Sequence, residues 1–536
     1  MSSERVPRAV ATAAFLGAAM ALAWFARANA YPPAFDEAWY LEVSYRFWHA
    51  LVKDGPIAFA SSWMSAFRFK APLVSALPLP FYLAFGPSYA SAVLSHIPAL
   101  ALLAASLYGL GRRFFSPAGG ALAAVLGLLM PLTVALSRTY FVETWLTALT
   151  AAFLWRLAES DQFRREREAP VLGLLFGLGL LTKVLFPGVV AAPLAWALWE
   201  RSRDPRGPAW PTLVRPLKIF ASVASLVSLT WYGPNLVYVT GFALSAYRGG
   251  IGAAYGTPTA WGLTQVAAYF NSIAVEILSW YTVLLGIGLG VALRRRLAGS
   301  PGLIFAATWV VPYLLITTSG LCKDQRYVAP AVPGFALALA GLLDAATLNR
   351  RGRALLLTAA VLPLASCFLL QTFGNALPGA PVAVLSRIFP VRTTYGGPPR
   401  RTGELGLEAL VLHLAPRIPP GSVVAAGLEH PRLNANLLAV QAARHALPLS
   451  FIHYGHMEGD LRRVLIRLIE KDATHIFFID GMPAGELPPM VPAVDAALRA
   501  HARGNRIPFR KVGLFPISPG VTGELWERTG PIRMSL

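Results

Sequence analysis

Charged side chains are scarce in this chain. They make up 14% of the 536 residues against 55% hydrophobic, and acids are the scarcer sign, 27 against 47 Lys and Arg. With a mean hydropathy of +0.52, that balance excludes a water-soluble multidomain protein. Cysteine is nearly absent: Cys322 and Cys367 lie beside and within apolar runs, which excludes a disulfide framework and a thiolate zinc site. No Gly-rich phosphate fingerprint follows a strand-like segment, and Gly286-Ile-Gly-Leu-Gly290 sits inside an apolar run, where glycine serves close helix packing. The net charge of +20 is not a nucleic-acid signature, because the basic residues form short clusters between apolar runs and line no single groove or face.

What is abundant is apolar runs of membrane length. About 20 apolar residues cross a hydrocarbon core of roughly 30 Å, and that ruler predicts about eleven spans, near 10–28, 88–110, 118–136, 140–157, 170–182, 184–199, 219–239, 273–293, 301–319, 327–346 and 354–373. The first, preceded by Arg5 and Arg8, has the outline of a secretory signal, but with so many spans behind it an uncleaved helix is expected. Basic clusters then orient the chain. Arg5 and Arg8, Arg112-Arg113, Arg156 with Arg164, Arg165 and Arg167, Arg201 to Lys218, Arg294 to Arg296, and Arg350, Arg351 and Arg353 all fall on one side, the cytoplasm. The other side receives the loop 29–87, the short loops at Arg138, Lys183 and Lys323–Arg326, the loop 241–271, and everything after residue 373.

Two regions are more than connectors. In DEAWYLEVSYRFWHALV (36–52), Trp39, Val43, Phe47 and Ala50 recur at helical spacing, which predicts a helix on the membrane surface with its aromatics in the interface. Residues 71–85 are apolar but carry Pro72, Pro78 and Pro80, so a half-inserted element is expected. From about Gly374 the pattern changes to apolar strands (422–426, 449–452, 475–479, 511–517) alternating with helices (460–471, 491–502). The expected organisation is a membrane domain over 1–373 and a small extracytoplasmic α/β domain over 374–536, joined by a Gly/Pro-rich linker at Tyr395–Arg401.

Ionisable groups near a membrane are costly, so those outside the orienting clusters are candidates for function. They gather on the outer side: Asp36-Glu37, Lys70, Arg138, Glu143, Lys183, Arg248 and Lys323 to Tyr327. The plain alternatives are that Asp36 and Glu37 cap their helix and that each cation snorkels or pairs with a neighbour, as Lys323 and Asp324 could. Together, a carboxylate pair and a cationic pocket are what transfer from a lipid-linked phosphosugar requires: a base for the acceptor hydroxyl and cations for the departing phosphate. A secondary transporter would instead place ionisable residues in mid-span within paired repeats, and no internal repeat is present. An inactive membrane scaffold is the remaining alternative. His49 and His96 have no ligand-type spacing with Asp36 and Glu37, so no metal is expected and a divalent cation has no support. His430, His445, His453, His456, His475 and His501 are scattered and expected to be structural or solvated.

The order of motifs resembles the family 39 glycosyltransferases of GT-C fold, which include the protein O-mannosyltransferases and the lipid A aminoarabinose transferases. It runs from Asp36-Glu37 just after the first span, through Lys70-Ala-Pro-Leu ahead of Phe85-Gly86, Ser137-Arg138 with Glu143, and Gly179-Leu-Leu-Thr-Lys183, to Arg326-Tyr-Val-Ala-Pro-Ala-Val-Pro333. It covers roughly residues 10–345. The resemblance implies a GT-C membrane enzyme of a bacterial inner membrane that takes a hexosyl or pentosyl group from a polyprenyl-phosphate donor to a lipid, glycan or protein acceptor, with inversion. It implies Asp36 as base beside Glu37, with Lys70, Arg326 and Tyr327 bordering the donor phosphate and Lys183 joining them. Arg138, Glu143 and Arg248 are left as acceptor-side or structural residues. The chain departs from the family in having Glu143 where the protein mannosyltransferases have aspartate, in lacking an inserted outer-loop domain, and in having fewer spans than the aminoarabinose transferases.

Overall fold

The computed structural model describes residues 4–203, 209–257, 259–377, 379–391, 393–401, 405–454, 458–482 and 490–532. The chain packs into two compact units. The first comprises Met1–Arg27, Trp63–Pro78 and Ala92–Pro399, and the second Ala28–Ser62, Leu79–Ser91 and Arg400–Leu536.

Among its described residues the regular structure of the first unit is helical. Its principal helices are α1 (Arg5–Ala28), followed after the insertion into the other unit by further apolar helices. Among the described residues, six helices are long and apolar enough to cross a membrane, or up to eight if each of two bent pairs is one span. The difference from eleven lies partly in helix length: the segments expected near 140–157, 170–182 and 184–199 form helices of 17, 14 and 17 residues. At 1.5 Å per residue these run roughly 20–25 Å, shorter than the hydrocarbon core. The bent pairs have local causes. Pro131 opens a second helix 59° away from Pro117–Leu129, and Ser279, at φ 70°, splits the segment expected at 273–293 with a bend of 100°.

The second unit begins with α2 (Phe35–His49), the helix expected after the first span. Val43, Phe47 and Ala50, expected to face the membrane interface, are instead buried within this unit. Phe47 stacks edge-on against Phe59 at 5.4 Å, and α2 also packs along α3 (Ala435–Arg444), a helix of the C-terminal region rich in Ala, Leu and Val. The Asn436 amide donates to the Phe35 carbonyl at 3.1 Å near one end, and His49 Nε2 donates to the Arg444 carbonyl at 3.0 Å near the other.

Around α3 the C-terminal residues form a five-stranded sheet. Its strands are β1 (Val423–Ala426), β2 (Ser450–His453), β3 (His475–Asp480), β4 (Phe509–Ser518) and β5 (Val521–Arg528), in the order β2-β1-β3-β5-β4. The first three are parallel, as βαβ connections require, and β5 and β4 close the sheet as an antiparallel hairpin. Val424 stands opposite both Phe451 and His475. One face is filled by Val464, Leu465 and Leu468 of the amphipathic helix Leu461–Glu470 and by Leu498, packed on Ile476, Phe478 and Trp526.

Candidate active site

In the first unit the turn after Gly179-Leu-Leu-Thr ends a helix, because Lys183 is extended at φ −158° and Phe186 begins the next helix three residues later. That break projects Lys183 toward Glu143, which opens the helix Glu143–Glu159. Lys183 Nζ donates to Glu143 Oε1 at 2.7 Å and stands 4.6 Å from the centroid of the Tyr327 ring. Glu143 is only 1% exposed, so its charge needs this cation. Tyr327 is fixed from behind, its backbone carbonyl accepting the Tyr313 hydroxyl at 2.7 Å.

Arg326 lies against the same tyrosine. Its guanidinium is 5.6 Å from the Tyr327 ring centroid and 4.9 Å from that of Phe141, and its Nε pairs with Asp324 at 3.1 Å. Asp324 caps the turn that carries both residues by accepting the Arg326 N–H at 3.0 Å. The Tyr395 hydroxyl donates to the same carboxylate at 2.7 Å. Burial pushes the Tyr395 hydroxyl up from its ordinary pKa, Arg326 opposes, and Asp324 adds to the rise, so the phenol stays a donor. At the start of the segment expected as an extended linker Tyr395 is thus anchored, and Thr393 and Thr394 also hold Gln325. Lys323 does not turn to Asp324, but donates to the carbonyls of Thr318 and Gly320 at 2.6 and 2.9 Å, where it closes a helix C-terminus.

Lys70 is half-buried just beyond a sharp bend at Phe67 and Arg68, both at positive φ. The next residue, Ala71, packs with Leu181, Trp231, Tyr232 and Val239, which brings Lys70 into the neighbourhood of the Lys183 turn. Arg138 and Arg248 are elsewhere. Arg138, 4% exposed, bonds Thr372 and lies between the Phe25 and Phe368 rings, 5.2 and 5.7 Å from their centroids. Arg248 reaches the Ser319 carbonyl at 3.4 Å. Both therefore tie helices together.

In the second unit the Asp36-Glu37 pair opens α2. Glu37, 4% exposed and at the third helical position, accepts the Ala34 N–H at 2.8 Å through Oε2 and the Tyr89 hydroxyl at 2.6 Å through Oε1. The capping duty thus falls to Glu37. Asp36, the second helical position, is half-buried. His49 bonds the Arg444 carbonyl, and in the first unit His96 Nδ1 faces the Ser137 carbonyl at 2.9 Å. Among the described residues no three His, Cys, Asp or Glu side chains are placed to share a metal ion; His456 lies outside the described residues.

Residues 70–238 match the family model described as dolichyl-phosphate-mannose-protein mannosyltransferase. No curated protein matches the chain at the level of sequence. Among solved structures the fold is similar to ArnT from Cupriavidus metallidurans, both in the apo state and bound to undecaprenyl phosphate. In each case the TM-score is 0.57 and the identity 13%, over 95% of this chain and 97% of that one. It is also similar to the archaeal oligosaccharyltransferase AglB from Archaeoglobus fulgidus, in complex with an inhibitory peptide and a dolichol-phosphate, with a TM-score of 0.58 and 10% identity over 89% of this chain and 70% of that one. The chain has the GT-C fold of membrane glycosyltransferases, with a small sheet-containing region after its helices. The match to the mannosyltransferase family model is confined to residues 70–238 and makes that stretch similar to family 39.

Proposed function

We propose that the chain is an inverting glycosyltransferase that moves a hexosyl or pentosyl group from a polyprenyl-phosphate carrier to an acceptor hydroxyl, on the outer face of a bacterial inner membrane. The observation that supports this reading is the cap that Glu37 makes at the start of α2. Glu37 performs the cap, so an acid at position 36 is not needed for it, and Asp36 is assigned the base.

The acceptor oxygen attacks the anomeric carbon as the bond from that carbon to the phosphate oxygen breaks. The acceptor proton passes to Asp36, and the polyprenyl phosphate leaves with the bonding electrons. One displacement inverts the anomeric configuration. Lys183 and Arg326, with Lys70 near the same turn, balance the phosphate charge, and the Tyr327 hydroxyl supplies a neutral donor. Glu143 and Asp324 hold the two cations in place until the phosphate arrives. The family match and the lipid phosphates in the similar structures support a lipid-linked donor. The C-terminal sheet is assigned to the extracytoplasmic side with the acceptor, which is a lipid, a glycan or a protein.

The experiment is mass spectrometry of lipids, surface glycans and envelope proteins from cells with the chain, without it, and with Asp36→Asn. A single sugar should be missing from one product without the chain. In membranes, Asp36→Asn should form that product at a rate about 100-fold or more below the wild type while folding normally, the scale of a lost general base. Near-normal turnover of Asp36→Asn would sink the mechanism and leave Glu143 as the next carboxylate to test.

A further inference from the structure

The C-terminal region does more at α2 than cover an apolar face. Glu429 follows β1 by three residues, His453 ends β2, and Asn436 lies in the first turn of α3, so all three stand at the carboxyl end of the parallel strands. That end is where open α/β sheets present their functional groups. The start of α3 is itself fixed, because Asn434 accepts the Leu437 N–H at 3.1 Å and donates to the His430 carbonyl at 3.0 Å.

The hydrogen-bond directions follow from the end of the chain of contacts. The Phe35 carbonyl is only an acceptor, so Asn436 turns its Nδ2 toward it, at 3.1 Å. Its Oδ1 then faces His453 Nε2 at 3.1 Å, and that ring nitrogen must carry a proton. The other ring nitrogen, Nδ1, is paired with the Glu429 carboxylate, whose side chain is 2% exposed. Glu429 thus orients the imidazole, the imidazole orients the amide, and the amide holds the carbonyl of the residue immediately before Asp36.

We propose that Glu429, His453 and Asn436 form a relay that positions Asp36. They are positioning residues, acting through the backbone of Phe35 with no contact to the reacting atoms. The proposal rests on the reading of Asp36 as the base. It makes the C-terminal sheet a working part of the catalytic helix in addition to any role in holding the acceptor.

The test is a double-mutant cycle on the full chain in native membranes, using the cells' own polyprenol lipids as donor source and the product identified above as readout. Asn436→Ala and His453→Ala are each combined with Asp36→Asn. Asn436→Asp serves as an isosteric variant that keeps an acceptor for His453 but loses the donor to Phe35, should the alanine variants fold poorly. Each single variant should lower kcat by about tenfold or more, the scale of a slightly misplaced reacting group, with donor KM within about twofold. Neither should lower turnover further once Asp36 is Asn. Unchanged kcat in folded Asn436→Asp, or losses that multiply with that of Asp36→Asn, would overturn the relay. Full turnover in Asp36→Asn alone would instead overturn the reading of Asp36.

Discussion

Glu143 is the residue whose environment leaves it least choice. It is 1% exposed, Lys183 supplies a cation at 2.7 Å, and its Oε2 makes no hydrogen bond. Removing the cation strands a carboxylate in an apolar surround. Lys183→Met is therefore expected to destabilise the protein by about 3–5 kcal/mol, and adding Glu143→Gln should recover most of that loss. Unfolding of the purified variants in detergent measures both, and additive losses would show that the two side chains are independent. Arg326 differs, because Asp324 retains Tyr395 and the cap to Arg326 N–H if the guanidinium is lost. Arg326→Ala and Lys70→Ala should accordingly fold and lose affinity for a polyprenyl phosphate by about one to two decades, as expected for one charge-assisted contact each. Unchanged binding of that lipid in both variants would place the phosphate elsewhere.

At the scale of elements, the Lys183 turn depends on a glycine. A Cβ at Gly179 would fall 2.5 Å from the Phe186 ring, and that ring is fully buried between Phe153 and Phe176, 6.0 and 5.6 Å away. The ring has nowhere to swing. Gly179→Ala is expected to cost about 1–3 kcal/mol by overpacking, and to move Lys183, whose N–H bonds the Gly179 carbonyl at 3.0 Å. Gly188 is the control, since its Cβ would meet Ile316 at an ordinary 3.6 Å. Equal melting temperatures for Gly179→Ala and Gly188→Ala would refute the packing argument. The same stretch shows what sequence reveals. The break at Thr182-Lys183 was legible as a polar pair with Pro187 between apolar runs, whereas the bend at Ser279 follows from a positive φ that no residue type announces there. Strands β1 to β4 were legible as apolar runs. Strand β5 was not, because Gly523 and Glu524 interrupt its apolar pattern, and only pairing with β3 and β4 makes it a strand. Lys183, Arg326 and Tyr327 were visible as short motifs, but the Tyr395 contact to Asp324 and the Asn436 contact to Phe35 join residues 71 and 401 positions apart, a separation that local patterns do not encode.

At the scale of the whole molecule, orientation in the membrane decides which donors exist for the site. Nucleotide sugars belong to the cytoplasm, so a site on the opposite face needs its sugar delivered on a lipid, and the proposed chemistry stands or falls with sidedness. The basic clusters predict that Leu348, beside Arg350, Arg351 and Arg353, is cytoplasmic, and that Lys471 of the C-terminal sheet region is outside. Both positions are exposed, Leu348 by 52%, whereas a position such as Ser422, just before β1 and 5% exposed, would be shielded by packing on either side of the membrane. The native thiols Cys322 and Cys367 are first replaced by Ala, so that a single introduced cysteine is read each time. In intact spheroplasts an impermeant maleimide should label Lys471→Cys and leave Leu348→Cys unlabelled until the cells are lysed. Labelling of Leu348→Cys with protection of Lys471→Cys would invert the molecule, put the proposed site within reach of soluble nucleotide sugars, and remove the physical reason for a polyprenyl-phosphate donor.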